Sequence, residues 1–203
     1  MAHIDIKGEL TKRMKKKPNW LMVKVARWFL IEDWINVHLD QIGEVSNIEF
    51  MKATLDNLQI NVEVKGVENL PSADSPTMFV CNHPLGGMDV LSACKAVEPA
   101  CGKGLLIPAN DLLMQLTNIR EMLIPVNKVG GQSKDLLQKI NQAYASEKQL
   151  MFFPSGKVSR KHPDGIYDDE WKKNFVVKSV EFKRNVVPIR IDAKNSPFFS
   201  RLA

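Results

Sequence analysis

A chain of 203 residues with 44% hydrophobic and 25% charged side chains has the size and make-up of one globular domain, which excludes a disordered or fibrous polypeptide. There is no uncharged apolar run of about 18 residues, so no simple membrane-spanning helix is expected, and the N-terminus lacks the apolar stretch and cleavage site of a secretory signal. The net charge of +5 is unevenly spread: residues 1–30 hold eight basic and two acidic side chains, whereas the other 173 hold 20 and 21. Cys81, Cys94 and Cys101 are odd in number and widely spaced, which fits free thiols in a reducing cytoplasm better than a disulfide framework or a zinc knuckle.

The basic excess adjoins an apolar segment. Lys15, Lys16, Lys17, Pro18 and Asn19 lead into a helix predicted from Trp20 to Ile35, with Asn19 as its N-cap. Leu21, Val25, Trp28 and Ile35 form one stripe, while Lys24, Arg27 and Glu32 mark the other. Trp20, Trp28 and Trp34 are three of the four tryptophans in the chain. Tryptophan favours the membrane–water boundary, because its ring is apolar and its N–H needs a polar partner. Each nearby lysine gains about 1 kcal/mol against anionic lipid. Residues 1–45 therefore read as a basic, Trp-rich amphipathic segment lying on a membrane surface. A helix packed on its own domain behind a solvated lysine cluster satisfies the same pattern. A lysine run is also a phosphate footprint, but no aromatic-basic interleaving recurs, so no nucleic-acid partner is expected.

Beyond this segment, residues 46–203 read as one domain. A helix is predicted over 46–57 with Ser46 as cap, then a half-buried strand over 59–66, where polar and apolar residues alternate. The continuous apolar run Thr77–Cys81 reads as a buried strand. Next come a helix near 89–98, a strand near 105–107, a short helix near 110–117 and a strand over 122–126 that Pro125 confines to an end or an edge. A helix over 134–146 capped by Ser133, a buried strand over 149–153, a helix over 170–183 and a strand over 186–190 complete the pattern. Alternation of this kind predicts an α/β fold: a largely parallel mixed sheet flanked by helices. In such sheets the working residues gather in loops just beyond the strand ends.

Two of those loops hold groups suited to chemistry. Asn82-His83-Pro84-Leu85-Gly86-Gly87-Met88-Asp89 follows the first buried strand. His83 suits general-base work near neutral pH, and a carboxylate on its other nitrogen would fix the tautomer. Gly86 and Gly87 permit close backbone approach, with N–H groups able to meet an oxyanion. The alternative is that Asp89 merely caps the next helix. Pro154-Ser155-Gly156-Lys157-Val158-Ser159-Arg160 follows the strand at 149–153 and offers basic and hydroxyl groups to a phosphate or carboxylate. It is not a nucleotide-binding P-loop, since position 151 is Met and position 158 is Val. His3, His38 and His162 lack metal-ligand spacing, so no metal is expected. Cys81 reads as a buried inert thiol rather than a nucleophile.

Taken in order, Asn82-His83 through Asp89, Leu123 through Lys128, Phe153 through Arg160 and Val187-Pro188-Ile189 resemble the four blocks of the glycerolipid (lysophosphatidic-acid-type) acyltransferase family over roughly residues 60–191. Five residues rather than four separate His83 from Asp89, Ser155 stands where the family has Glu, and Asn127 stands where it has a phosphate-binding Arg, with Lys128 beside it. In these respects the chain resembles the haemolysin-associated branch, which is similar to bacterial enzymes that O-acylate lyso-ornithine or lyso-glycine lipids.

The resemblance implies a glycerol-phosphate-acyltransferase-like fold and direct transfer of a fatty acyl group from a thioester to a lysolipid hydroxyl. His83 would be the base and Asp89 its orienting partner. Gly86, Gly87, Ser155 and Gly156 would serve as oxyanion donors or loop support. Asn127, Lys128, Phe153, Pro154, Lys157, Ser159 and Arg160 would bind substrate, and Lys15, Lys16, Lys17, Trp20, Trp28 and Trp34 would hold the membrane. No bound cofactor is implied. The donor would be acyl-carrier protein or coenzyme A thioester, and the place the cytoplasmic face of the inner membrane. A lysophosphatidic acid or glycerol 3-phosphate acceptor, or a non-catalytic lipid- or carrier-binding protein, are the competing readings. The apolar end at 197–203 is read as a C-terminal truncation or as an end that docks on a membrane or partner.

Overall fold

The computed structural model describes residues 3–109, 111–126 and 134–193. Its strands are β1 (Thr77–Cys81), β2 (Leu105–Ala109), β3 (Leu123–Pro125), β4 (Gln149–Phe152), β5 (Arg160–His162), β6 (Gly165–Tyr167) and β7 (Asn185–Ile189). All five residues of β1 are buried. It pairs in parallel with both β4 and β7, while β2 joins β4 to β3, giving a five-stranded, all-parallel sheet in the order β3-β2-β4-β1-β7. Two of the three strand prolines, Pro125 and Pro188, lie on the two outer strands, where a missing N–H disrupts least, and Pro108 lies in the inner β2.

The two-residue period of β1 and β4 divides the core between the faces of the sheet. Phe79, Cys81 and Met151 pack with residues of α4 (Asn47–Asn57) and α5 (Gly87–Val97), and Met78 and Leu150 pack with Ala143 and Tyr144 of α6 (Lys134–Ala145). The register pairs Val80 with Phe152 and Cys81 with Ile189. The chain therefore leaves β1, β4 and β7 side by side, and the loops that follow them meet at one rim.

Three further helices precede α4: α1 (Ile6–Met14), α2 (Trp20–Phe29) and α3 (Glu32–Ile42). Asn19 caps α2 as expected, its Oδ1 accepting from the Leu21 N–H at 2.9 Å. The single helix expected over 20–35 is broken at Ile31, whose φ of 49° is left-handed. A left-handed β-branched residue needs compensation. Here the next residue, Glu32, is buried, accepts from the Ile6 N–H at 3.0 Å and pairs with Arg27 at 2.8 Å.

Other expectations need correction. Residues 59–66 form no strand: Ile60 and Val62 pack on the core, but no described strand pairs with them, so the alternation reports one-sided burial without a ladder. The short helix near 110–117 is two 3₁₀ segments, Asp111–Gln115 and Thr117–Met122, and the helix of 170–183 shortens to α7 (Asn174–Glu181). Strands β5 and β6 were not anticipated. They form an antiparallel hairpin turning at Pro163-Asp164, ahead of Gly165, a turn signal already present in the sequence. The expected cap Ser133 lies outside the described residues.

Arg184, just ahead of β7, is buried and closes the opposite end of the sheet. Its guanidinium donates to the carbonyls of Tyr144 at 2.8 Å, Ser146 at 2.6 Å and Thr77 at 3.5 Å, and also to that of Lys148. A methionine of similar length would leave these acceptors without their donor. Arg184→Met is expected to lower stability by about 3 kcal/mol, read as a reduced midpoint in urea unfolding.

Candidate active site

Where the chain leaves β1, Asn82 ties the loop to the segment beyond β7: its Nδ2 donates to Ile191 O at 2.9 Å and its Oδ1 accepts from Ile191 N–H at 2.6 Å. His83 follows, with a side chain 17% exposed. Its Nδ1 lies 3.0 Å from Oδ2 of Asp89, in the first turn of α5. An ionised carboxylate only accepts, so this contact places the proton on Nδ1 and leaves the lone pair on Nε2.

Asp89 is fully buried. The oxygen facing His83 also accepts from the N–H groups of Leu85 at 2.7 Å and Gly86 at 2.9 Å, while Oδ1 has no hydrogen-bond partner among the described residues. Capping and histidine orientation, posed as alternatives from the sequence, are therefore done by one carboxylate. Between His83 and Asp89 the loop turns at Gly86, whose φ of 74° and ψ of −122° suit glycine alone. A Cβ there would also approach Val158 Cγ2 to 3.3 Å.

The loop after β4 lies against this pair. The Phe153 ring packs 4.4 Å from the His83 ring, centroid to centroid. Ser155 is buried and its Oγ donates to Lys157 O at 2.7 Å, while Gly156 N–H donates to Phe153 O at 2.8 Å. Of the residues expected as oxyanion donors or loop support, Gly86, Ser155 and Gly156 thus brace their own loops. Gly87 opens α5, where first-turn N–H groups have no intrahelical acceptor. Pro154 is buried; Lys157 and Arg160 are exposed at the rim, with Lys157 Nζ 3.6 Å from Asp169 Oδ2. Ser159 is buried and turned into the protein rather than toward open space. Asn127 and Lys128 lie outside the described residues.

Asp168 escaped the sequence reading. Its Oδ1 accepts from His83 N–H at 3.0 Å and Ser159 Oγ–H at 2.5 Å, and its Oδ2 from Trp171 Nε1–H at 2.9 Å. As the first of three consecutive acidic residues after a hairpin, Asp168 carries no signal that singles it out, and its His83 partner lies 85 positions away. The three cysteines are free and buried. Burial, then the nearby Asp89 charge, pushes the Cys81 thiol up to about 12, so it is no thiolate nucleophile at neutral pH.

The N-terminal helices present a different surface. No residue of α2 is buried; Trp20 is 72% and Trp28 78% exposed, and Leu21, Val25, Phe29, Ile31, Trp34 and Val37 are exposed around them. Lys15, Lys16 and Lys17 are exposed alongside. Ile35, assigned to the same stripe from the sequence, instead packs on the core. No helix among the described residues is long and apolar enough to cross a membrane.

A family model described as acyltransferase matches residues 9–203. The chain belongs to the acyltransferase family. It is 36% identical to a lyso-glycine lipid O-acyltransferase of Phocaeicola vulgatus, over 98% of this chain and 72% of that one. It is also 36% identical to the enzyme of the same name from Bacteroides thetaiotaomicron, over 98% of this chain and 74% of the relative. A chloroplastic 1-acyl-sn-glycerol-3-phosphate acyltransferase of Arabidopsis thaliana is 26% identical over 64% of this chain and 35% of its own length. No solved structure matches. Membership in this family makes the protein an enzyme that transfers acyl groups and sets aside the non-catalytic reading.

Proposed function

We propose that this acyltransferase moves a fatty acyl group from an acyl thioester to the hydroxyl of a lysolipid with an amino-acid headgroup, using His83 as general base. The observation that carries the chemistry is the His83 Nδ1–Asp89 Oδ2 contact of 3.0 Å, which leaves Nε2 to accept a proton. As the acceptor oxygen bonds to the thioester carbonyl carbon, its proton passes to Nε2 of His83, and the buried Asp89 carboxylate stabilises the resulting imidazolium. The tetrahedral intermediate collapses by breaking the C–S bond. The departing thiolate recovers the proton from His83, leaving an ester and a free thiol. Backbone N–H groups such as that of Gly87 would meet the oxyanion, each worth about 3–4 kcal/mol. Both substrates are held together, so no covalent enzyme intermediate is required.

The amino-acid headgroup is supported by the names of the two bacterial relatives and by Asn127, which the family resemblance sets where glycerol-phosphate users have Arg. The plant relative keeps lysophosphatidic acid as a second reading, with Lys128 in the role of the missing Arg. Thiol release with coenzyme A and acyl-carrier-protein donors, run against lyso-glycine lipid, lyso-ornithine lipid and lysophosphatidic acid, separates the two. Turnover restricted to the phosphate-bearing acceptor would overturn the amino-acid assignment.

Such substrates reside in a bilayer, and the exposed tryptophans of α2 beside Lys15, Lys16 and Lys17 suit the cytoplasmic face of the inner membrane. Trp20→Ala with Trp28→Ala is expected to weaken binding to vesicles containing phosphatidylglycerol by at least about tenfold. Co-sedimentation measures it, and unchanged partitioning would remove α2 from the membrane contact.

A further inference from the structure

We infer that Asp168 is a positioning residue for the acyl-transfer site, clasping the loop that carries His83 to the loop that follows β4. The inference rests on His83 being the base. One carboxylate collects donors from three separate stretches of chain: the His83 N–H after β1, the Ser159 Oγ–H ahead of β5 and the Trp171 Nε1–H ahead of α7. The Ser159 N–H in turn donates to His83 O at 2.8 Å. His83 N–H, Asp168 Oδ1, Ser159 and His83 O therefore form a closed ring, and both main-chain polar groups of His83 are engaged in it.

The side chain of His83 is set independently, by Asp89 on one edge and the Phe153 ring at 4.4 Å. Asp89 fixes which way the imidazole points relative to α5. Asp168 fixes where the residue's backbone sits relative to β5 and the loop containing Ser155 and Lys157. A base must lie within hydrogen-bond reach of the proton it removes, and a misplacement of about 1 Å can cost 10²-fold in rate. Asp168 is placed to exert an effect of that size without touching either substrate.

An amide at this position separates positioning from charge. In Asp168→Asn the oxygen can still accept from His83 and Ser159, but the NH2 then faces the Trp171 N–H, donor against donor. Adding Trp171→Phe removes that conflict. Asp168→Ala is expected to lower kcat by up to about 10²-fold, and by at least about tenfold, while KM for donor and acceptor stays within about twofold. Asp168→Asn combined with Trp171→Phe is expected to return kcat to within about threefold of Trp171→Phe alone.

Amide hydrogen exchange supplies a readout independent of turnover. The His83 and Ser159 amides are expected to exchange faster in Asp168→Ala and to regain protection in Asp168→Asn with Trp171→Phe. Unchanged kcat in Asp168→Ala, or a His83 amide that exchanges no faster, would overturn the inference. Should Asp168→Ala fail to fold, the amide variant with and without Trp171→Phe decides, and absence of recovery counts against it. If His83→Ala retains full turnover, the reading of His83 as base fails first. A loosened His83 amide would then show a purely structural clasp, which overturns the catalytic part of the inference.

Discussion

Replacing His83 by alanine is expected to lower kcat by about 10²–10⁴-fold, with the fold retained and substrate binding little changed. The size follows from the role. Without Nε2 the acceptor hydroxyl must lose its proton to water, and the leaving thiolate has no acid within reach. The fold should survive because His83 lies at the rim of the sheet rather than in either half of the core, and its main-chain bonds to Asp168 and Ser159 do not need the ring. Steady-state thiol release together with a thermal unfolding midpoint checks both halves of the expectation. A fall in activity that merely tracks lost folding would not support the role.

Asp89→Asn is expected to be nearly as damaging, by about 10²–10⁴-fold in kcat, and to cost about 1–3 kcal/mol of stability as well. The oxygen that now accepts from His83, Leu85 and Gly86 offers two outcomes to an amide. If the amide oxygen stays in place, the NH2 occupies the Oδ1 position, which has no described partner, and the imidazolium loses its counter-charge. If the amide turns over, its NH2 faces the N–H groups of Leu85 and Gly86 and drives the proton of His83 onto Nε2. The first weakens the base and the second removes it. Activity in a variant whose unfolding midpoint is only modestly reduced distinguishes this dual effect from simple destabilisation, and near wild-type kcat would show that Asp89 only caps α5.

The parts of the molecule readable from sequence are those fixed by local chemistry. The apolar runs at 78–81 and 150–152 lie in strands of the sheet because both faces of a parallel sheet are covered. The His83–Asp89 pair was readable because both residues belong to one strand–loop–helix unit. The 59–66 segment misled for a related reason: alternation shows that one side is buried, and only the presence of a neighbouring strand makes a ladder. The break at Ile31 was hidden because nothing in a β-branched residue announces a left-handed turn; the buried Glu32 contacts that accompany it come from Arg27 and from Ile6 far upstream. Asp168 was illegible because its contact with the His83 loop, 85 positions away, is made only when the sheet sets the two loops side by side. Ser159, expected at the substrate, illustrates the same limit, since its hydroxyl is committed to Asp168.

The proposed membrane contact rests on the exposure of the N-terminal segment. A helix packed on its own domain would bury Leu21, Val25 and Trp28, whereas all three are exposed on α2 beside the lysine cluster. Exposed apolar surface of this kind, rimmed by cations, favours an anionic lipid surface over water.

The measurement to make first is formation of the diacylated product from an acyl thioester and lyso-glycine lipid, followed by mass spectrometry with thiol release in parallel, for the wild type and His83→Ala. Product and thiol should appear together in the wild type, require both substrates, and fall by at least about 10²-fold in the variant. Equal product from the two proteins would contradict the assignment of His83 as the base that drives acyl transfer.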